Sequence, residues 1–242
     1  MEENRWYIAK ARQFSHPFAA KGTRMPRRAL IEHRPYLLLS LLFAITYFFV
    51  MDGKVGGSWL ALWKGAGVAF LAIYATHRGS GRDAALIAVF LTLCAMADVA
   101  IEFSFLIGGG IFGIAHLVAI WMYLKNRRET PTGSQKAAAI GLFLLTPAIA
   151  ALLTYPLDNW ELAAVYAVIV GAMAGAAWLS RFPRYRVGTG AVLFVISDLV
   201  IFAREGGQIS QALGDWLVWP LYYCGQFLIA TGVIQTLHKG RV

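Results

Sequence analysis

The chain has 242 residues, 58% of them apolar, 14% aromatic and only 14% charged. A soluble globular domain carries about 25% charged residues, so this chain has too few to coat a surface in water. Cys94 and Cys224 stand alone in apolar runs, without the spacing of a zinc knuckle or a disulfide framework. What remains is an all-α, polytopic membrane helix bundle, located in a membrane as a multi-pass protein (the inner membrane, if the source is bacterial).

A basic extension comes first, over residues 1–35, with eight of the chain's 22 Lys and Arg residues. Trp6, Tyr7, Ile8, Phe14 and Phe18 are mixed with them, which suits either an interfacial segment on an anionic leaflet or a basic tail. No signal peptide is read there. Residues 36–242 are read as a single transmembrane domain of about eight helices. In chain order these are Tyr36–Met51, Trp59–Thr76, Ala84–Ile107, Ile111–Leu124, Lys136–Tyr155, Glu161–Leu179, Val187–Ala203 and Trp216–Leu237. A crossing helix needs roughly 20 residues, and the first and fourth spans fall slightly short. Gly108-Gly109-Gly110 is read as the turn joining the third and fourth. No run alternates with period two, so helices rather than a barrel are implied.

The net charge of +9 is a topology signal rather than a nucleic-acid face, because the aromatics lie inside the apolar runs instead of among the cations. With eight spans and a cytoplasmic start, 19 basic residues fall on the inner side and only Lys54 and Arg204 on the outer. Both termini are therefore expected in the cytoplasm. A reporter fused after Val242 should score cytoplasmic; an extracytoplasmic signal would overturn the eight-span topology.

Charges within a span cost about 2.5–3.5 kcal/mol each at its centre on insertion scales, so the few that occur call for a reason. Lys64, Asp98, Glu102, His116 and Asp198 all fall in the middle-to-outer part of their spans, as do the uncharged Ser197, Tyr222, Tyr223 and Gln226. Matched depth on five helices points to one shared polar cavity. Asp98 and Glu102 lie one turn apart, and Trp219, Tyr223 and Gln226 share a face. Two acids in unequal surroundings divide readily into a neutral acid and a charged base, because burial disfavours the charged form and a nearby cation favours it. The same pair would serve a proton relay in a transporter, and inter-helix polar contacts alone would serve packing. No Ser nucleophile elbow or HExxH zinc site is present.

The order of these residues resembles the YhhN family, whose animal relatives are the TMEM86 lysoplasmalogenases. The likeness is carried by Trp63-Lys64, by MADVAIEF around Asp98, and by IFGIAHLVAI around His116. GAVLFVISDLVIF with Ser197-Asp198 and YYCGQFLIATGVI around Tyr223 and Gln226 complete it. It covers about residues 36–237. The chain departs from the pattern at Ala97, Gly65 and Ala119, where Gly, Pro and Tyr are usual, and these changes bear on substrate fit. The resemblance implies cleavage of the vinyl-ether bond of lysoplasmalogens, releasing a fatty aldehyde. Burial and the carboxylate of Glu102 one turn away both oppose ionisation of Asp98, so Asp98 is read as the catalytic acid and Asp198 as the base that stabilises the cation and positions water, with Lys64, Glu102, His116, Ser197, Tyr223 and Gln226 around the substrate. The chemistry needs no redox cofactor; Asp98, Asp198 and His116 could form a partial metal-ligand set, but a single His argues against a closed metal site. The expected partners are a lysophospholipid substrate and membrane lipid, and no nucleic acid. The alternative is a proton-coupled transporter or lipid-translocating protein using the same acids.

Overall fold

A computed structural model describes residues 34–53, 56–155 and 157–239. The basic extension, with its expected interfacial aromatics, lies outside them apart from its last two residues. Among the described residues there are eight α-helices: α1 (Pro35–Val50), α2 (Ser58–Arg78), α3 (Arg82–Ala100), α4 (Phe105–Lys125), α5 (Gly133–Thr154), α6 (Trp160–Leu179), α7 (Thr189–Glu205) and α8 (Gln211–Lys239). A π-helical turn, Arg184–Gly188, leads into α7. Seven helices are long and apolar enough to cross a membrane, and α1, with 16 residues, is the short one. This is an all-helical bundle whose outward face is apolar: Phe49, Trp59, Leu106, Leu152 and Val165 each expose more than half their surface, as lipid rather than water requires.

The helix starts follow local chemistry. Pro35 opens α1, where its missing N–H costs nothing. Thr132 and Gln135 cap the start of α5 reciprocally. α8 packs against α1, α2, α3 and α7, whereas α6 joins α4, α5 and α7. Glycines permit the closest approaches: a Cβ on Gly190 would lie 2.7 Å from the Gly225 carbonyl oxygen, and one on Gly225 equally close to that of Gly190, so the backbones of α7 and α8 touch.

The two ends of the bundle differ. At one end the α2–α3, α4–α5 and α6–α7 connections gather. Asp83 there binds Lys125 at 3.1 Å and Arg181 at 3.6 Å. Arg128 at the same end donates to the carbonyl oxygens of Ser180 and Phe182, at 2.8 and 3.3 Å. The opposite end carries the α1–α2, α3–α4 and α7–α8 connections, and the polar cavity opens toward it.

One connection differs from the expectation. α3 stops at Ala100 instead of continuing to 107, and Gly108-Gly109-Gly110 lies inside α4. The turn is Ile101–Ser104. Ser104 caps α4 by accepting from the Ile107 N–H at 3.3 Å. Gly108 lets the first turn of α4 close onto it, since a Cβ there would fall 2.6–2.8 Å from Ile101. Asp98 consequently sits two residues from the end of its helix rather than at mid-span. Gly109 has open space around its Cα. Gly109→Ala should therefore be neutral or stabilising by up to about 1 kcal/mol, the helical preference of Ala over Gly. Gly108→Ala should lower the thermal midpoint of the purified protein.

Candidate functional site

A cavity of about 360 Å³ enters from the α3–α4 and α7–α8 end, a size within the range of ligand pockets. Asp98, on the last turn of α3, and Asp198, midway along α7, both line it, although they are only 2% and 7% exposed. Each is held by one tyrosine. Tyr222 Oη on α8 donates to Asp98 Oδ2 at 2.7 Å, and Tyr166 Oη on α6 donates to Asp198 Oδ2 at 3.0 Å. Among the described residues neither Oδ1 atom has a hydrogen-bond partner, and neither is sealed in, so each carboxyl group keeps one oxygen free beside the cavity it lines. The two acids thus share a geometry: one oxygen fixed by a phenol, the other open.

Lys64 and Glu102 also line the cavity and bind each other at 2.6 Å, Lys64 from α2 and Glu102 from the α3–α4 turn. The sequence spacing put Glu102 beside Asp98; the fold gives it the lysine as a partner. Farther toward the mouth stands Arg204, at the end of α7, which donates to both Asp215 and Glu205. Asp52 and Gln211 complete the rim. The mouth thus carries cations and carboxylates together, whereas the deep wall is Phe112, Trp219 and Tyr222.

Ser197 lines the cavity too, but its hydroxyl donates to the Val218 carbonyl oxygen at 3.1 Å and fastens α7 to α8. His116 does not reach the cavity. It is fully buried on α4, among Phe90, Phe112 and Phe194, with Nε2 3.4 Å from Tyr166 Oη. Because that hydroxyl gives its proton to Asp198, it can only accept from His116. His116, Tyr166 and Asp198 therefore form a chain running from the core to the cavity. Tyr223 also lies off the cavity. Ser40 Oγ donates to the Gly67 carbonyl oxygen at 2.5 Å, which leaves Tyr223 Oη to donate to Ser40 at 2.7 Å and hold α8 against α1 and α2. Gln226, one turn beyond Tyr222 on α8, is fully buried, does not line the cavity, and its amide has no hydrogen-bond partner among the described residues. Among the described residues no three His, Cys, Asp or Glu side chains gather closely enough to hold a metal ion.

Sequence reasoning left Tyr166, Trp219 and Arg204 out of the site and kept Tyr222 only as a polar residue at the right depth. Trp219, Tyr222, Tyr223 and Gln226 fall on one helical stripe of α8, and that spacing was the available signal for the first two. Nothing local marks Tyr166, since its partners lie 32 and 50 residues away in the chain.

Over 178 residues the chain is 29% identical to proteins named lysoplasmalogenase from Mycobacterium bovis and Mycobacterium tuberculosis, covering 70% of this chain and 68% of each relative. It is 28% identical to human lysoplasmalogenase TMEM86A over 138 residues, 52% of this chain, and spans about half (54%) of that relative's length. No solved structure matches the chain. The model of the YhhN family matches residues 59–233, from the start of α2 to near the end of α8, and so takes in every charged residue lining the cavity except Asp52: the chain belongs to the YhhN family.

Proposed function

We propose that this protein is a membrane-embedded hydrolase that cleaves the vinyl-ether bond of lysoplasmalogens, with Asp98 as proton donor and Asp198 as base. The observation that carries this reading is the pair of buried carboxyl groups, each steadied by one tyrosine and each keeping one oxygen free beside the same cavity. A vinyl ether is opened by acid. Asp98 delivers its proton to the β-carbon, and the α-carbon and ether oxygen share the resulting positive charge as an oxocarbenium ion. The Asp198 carboxylate stabilises that cation and accepts a proton from the water that attacks it. The hemiacetal then breaks at the glycerol oxygen, which takes the proton held by Asp198, while the hemiacetal hydroxyl gives its proton to the Asp98 carboxylate. Fatty aldehyde and the glycerophospho-headgroup leave, and the proton balance is restored. Lys64 and Arg204, each already paired with a carboxylate, would share that charge with the headgroup phosphate as it enters. The lysoplasmalogenase relatives support the same substrate class.

The test is direct. The purified chain, incubated with a lysoplasmalogen, should release fatty aldehyde; the saturated alkyl-ether analogue, which cannot be protonated at carbon, should be inert. Absence of aldehyde from folded protein would overturn the reading, and transport of a proton or lipid without cleavage would favour the relay alternative.

Tyr166 is a positioning residue in this scheme. A hydrogen bond to a charged group is worth about 1.5–3 kcal/mol, so Tyr166→Phe should lower kcat by about tenfold or more while leaving KM little changed. His116→Ala should weaken the same bond indirectly and fall between the wild type and Tyr166→Phe. A change confined to KM would place Tyr166 in substrate binding instead.

A further inference from the structure

α4 and α5 follow each other in the chain yet do not touch; α6 packs against both and floors the gap between them. The gap is a trough of about 490 Å³ on the outer face of the bundle, remote from the acid cavity and sharing no residue with it. Its floor is Ala172, Gly175 and Ala176 of α6, and its rims are apolar, with Leu124, Ile140 and Leu144 each more than half exposed. From Lys136 to Leu144 it runs eight residues along α5, about 12 Å at 1.5 Å per residue. That is most of the depth of one leaflet, about half of a 30 Å hydrocarbon core.

Arg127 and Lys136 stand together where the trough meets the end of the bundle, and no acidic residue lines it. Three neighbouring cations are already occupied. Lys125 and Arg181 share Asp83, and Arg128 is spent on two carbonyl oxygens. Neither Arg127 nor Lys136 has a carboxylate partner among the described residues, and Glu129, the nearest acid in sequence to Arg127, is exposed and outside the trough.

We propose that this trough is a binding site for a phospholipid with a net negative headgroup, its phosphate between Arg127 and Lys136 and one acyl chain along the gap between α4 and α5. An apolar trough one leaflet deep takes an acyl chain of any phospholipid; the two unpaired cations at the headgroup level add selection by charge. Lys or Arg near an anionic lipid surface each contribute about 1 kcal/mol, so the pair gives a preference on the order of tenfold or more.

The experiment is competition between phosphatidylglycerol and phosphatidylcholine of identical chains on the full-length protein, read as bound lipid by native mass spectrometry. Wild type should retain phosphatidylglycerol about tenfold over phosphatidylcholine, and the ratio should shrink as salt rises. Arg127→Gln with Lys136→Gln should bring it near one. Ala172→Phe, which fills the trough without touching either charge, should reduce retention of both lipids. Equal retention by the wild type, a preference that survives the double variant, or a dimer whose formation excludes both lipids would each overturn the proposal. Should the double variant not fold, Ala172→Phe and the salt dependence decide alone. Aldehyde release plays no part in this readout, so its outcome is independent of the proposed hydrolysis.

Discussion

Asp98→Asn and Asp198→Asn should each fold, insert and lose nearly all vinyl-ether cleavage. Asparagine matches aspartic acid in shape, and its amide oxygen can still accept from Tyr222 or Tyr166, so the bonds of 2.7 and 3.0 Å survive. What is lost is the ability to give or take a proton, which contributes about 10²–10⁴-fold to such reactions. In Asp98→Asn no group replaces the donor, because Glu102 is tied to Lys64. In Asp198→Asn the cation loses its counter-charge as well as the base, so the larger loss is expected there. Cys94→Ala should remain active, since Cys94 is fully buried and does not line the cavity. Aldehyde release per folded protein is the measurement. Near-normal turnover in either Asn variant removes that residue from the mechanism, and normal turnover in both removes the mechanism.

Gly225→Val is expected to cost both stability and activity. A side chain at Gly225 would meet the Gly190 carbonyl oxygen at 2.7 Å and the Phe194 backbone nitrogen at 3.2 Å, and backbone cannot move aside as a flexible side chain can. α7 and α8 must therefore separate. Overpacking of this kind costs about 1–3 kcal/mol. The separation would also stretch the bond from Ser197 to the Val218 carbonyl oxygen and displace Asp198 relative to Tyr222 and Trp219. Thermal midpoint and aldehyde release should fall together, whereas Gly109→Ala, with open space around it, should lower neither. A Gly225→Val protein with full stability would show that α7 and α8 do not need their close approach.

Membrane class, helix number and the family were all legible in the sequence, because each rests on features that are local or ordered along the chain. Apolar runs of spanning length need no partner to be recognised. Asp98, Asp198, Lys64, Glu102 and Ser197 share the cavity, and their grouping toward the outer part of three spans was visible from residue numbers, although Asp98 closes its helix instead of lying at mid-span. The α3–α4 turn was misread because Ile101, Phe103, Phe105, Leu106 and Ile107 keep the text apolar across it. Three glycines nearby imitate a turn, whereas Gly108 is there to let α4 approach Ile101.

Orientation about each helix axis was decided only by packing. Depth follows from a rise of about 1.5 Å per residue, but facing depends on which neighbour a helix meets. So His116 and Tyr223, at suitable depth, turn away from the cavity, one toward Tyr166 and the other toward Ser40. Tyr166 and Arg204 turn toward the site from positions that no motif marks. The tyrosine on each aspartic acid lies 124 residues from Asp98 in one case and 32 from Asp198 in the other, so only helix packing brings each pair together. A hydrogen bond depends on distance in space, and sequence separation carries no record of it.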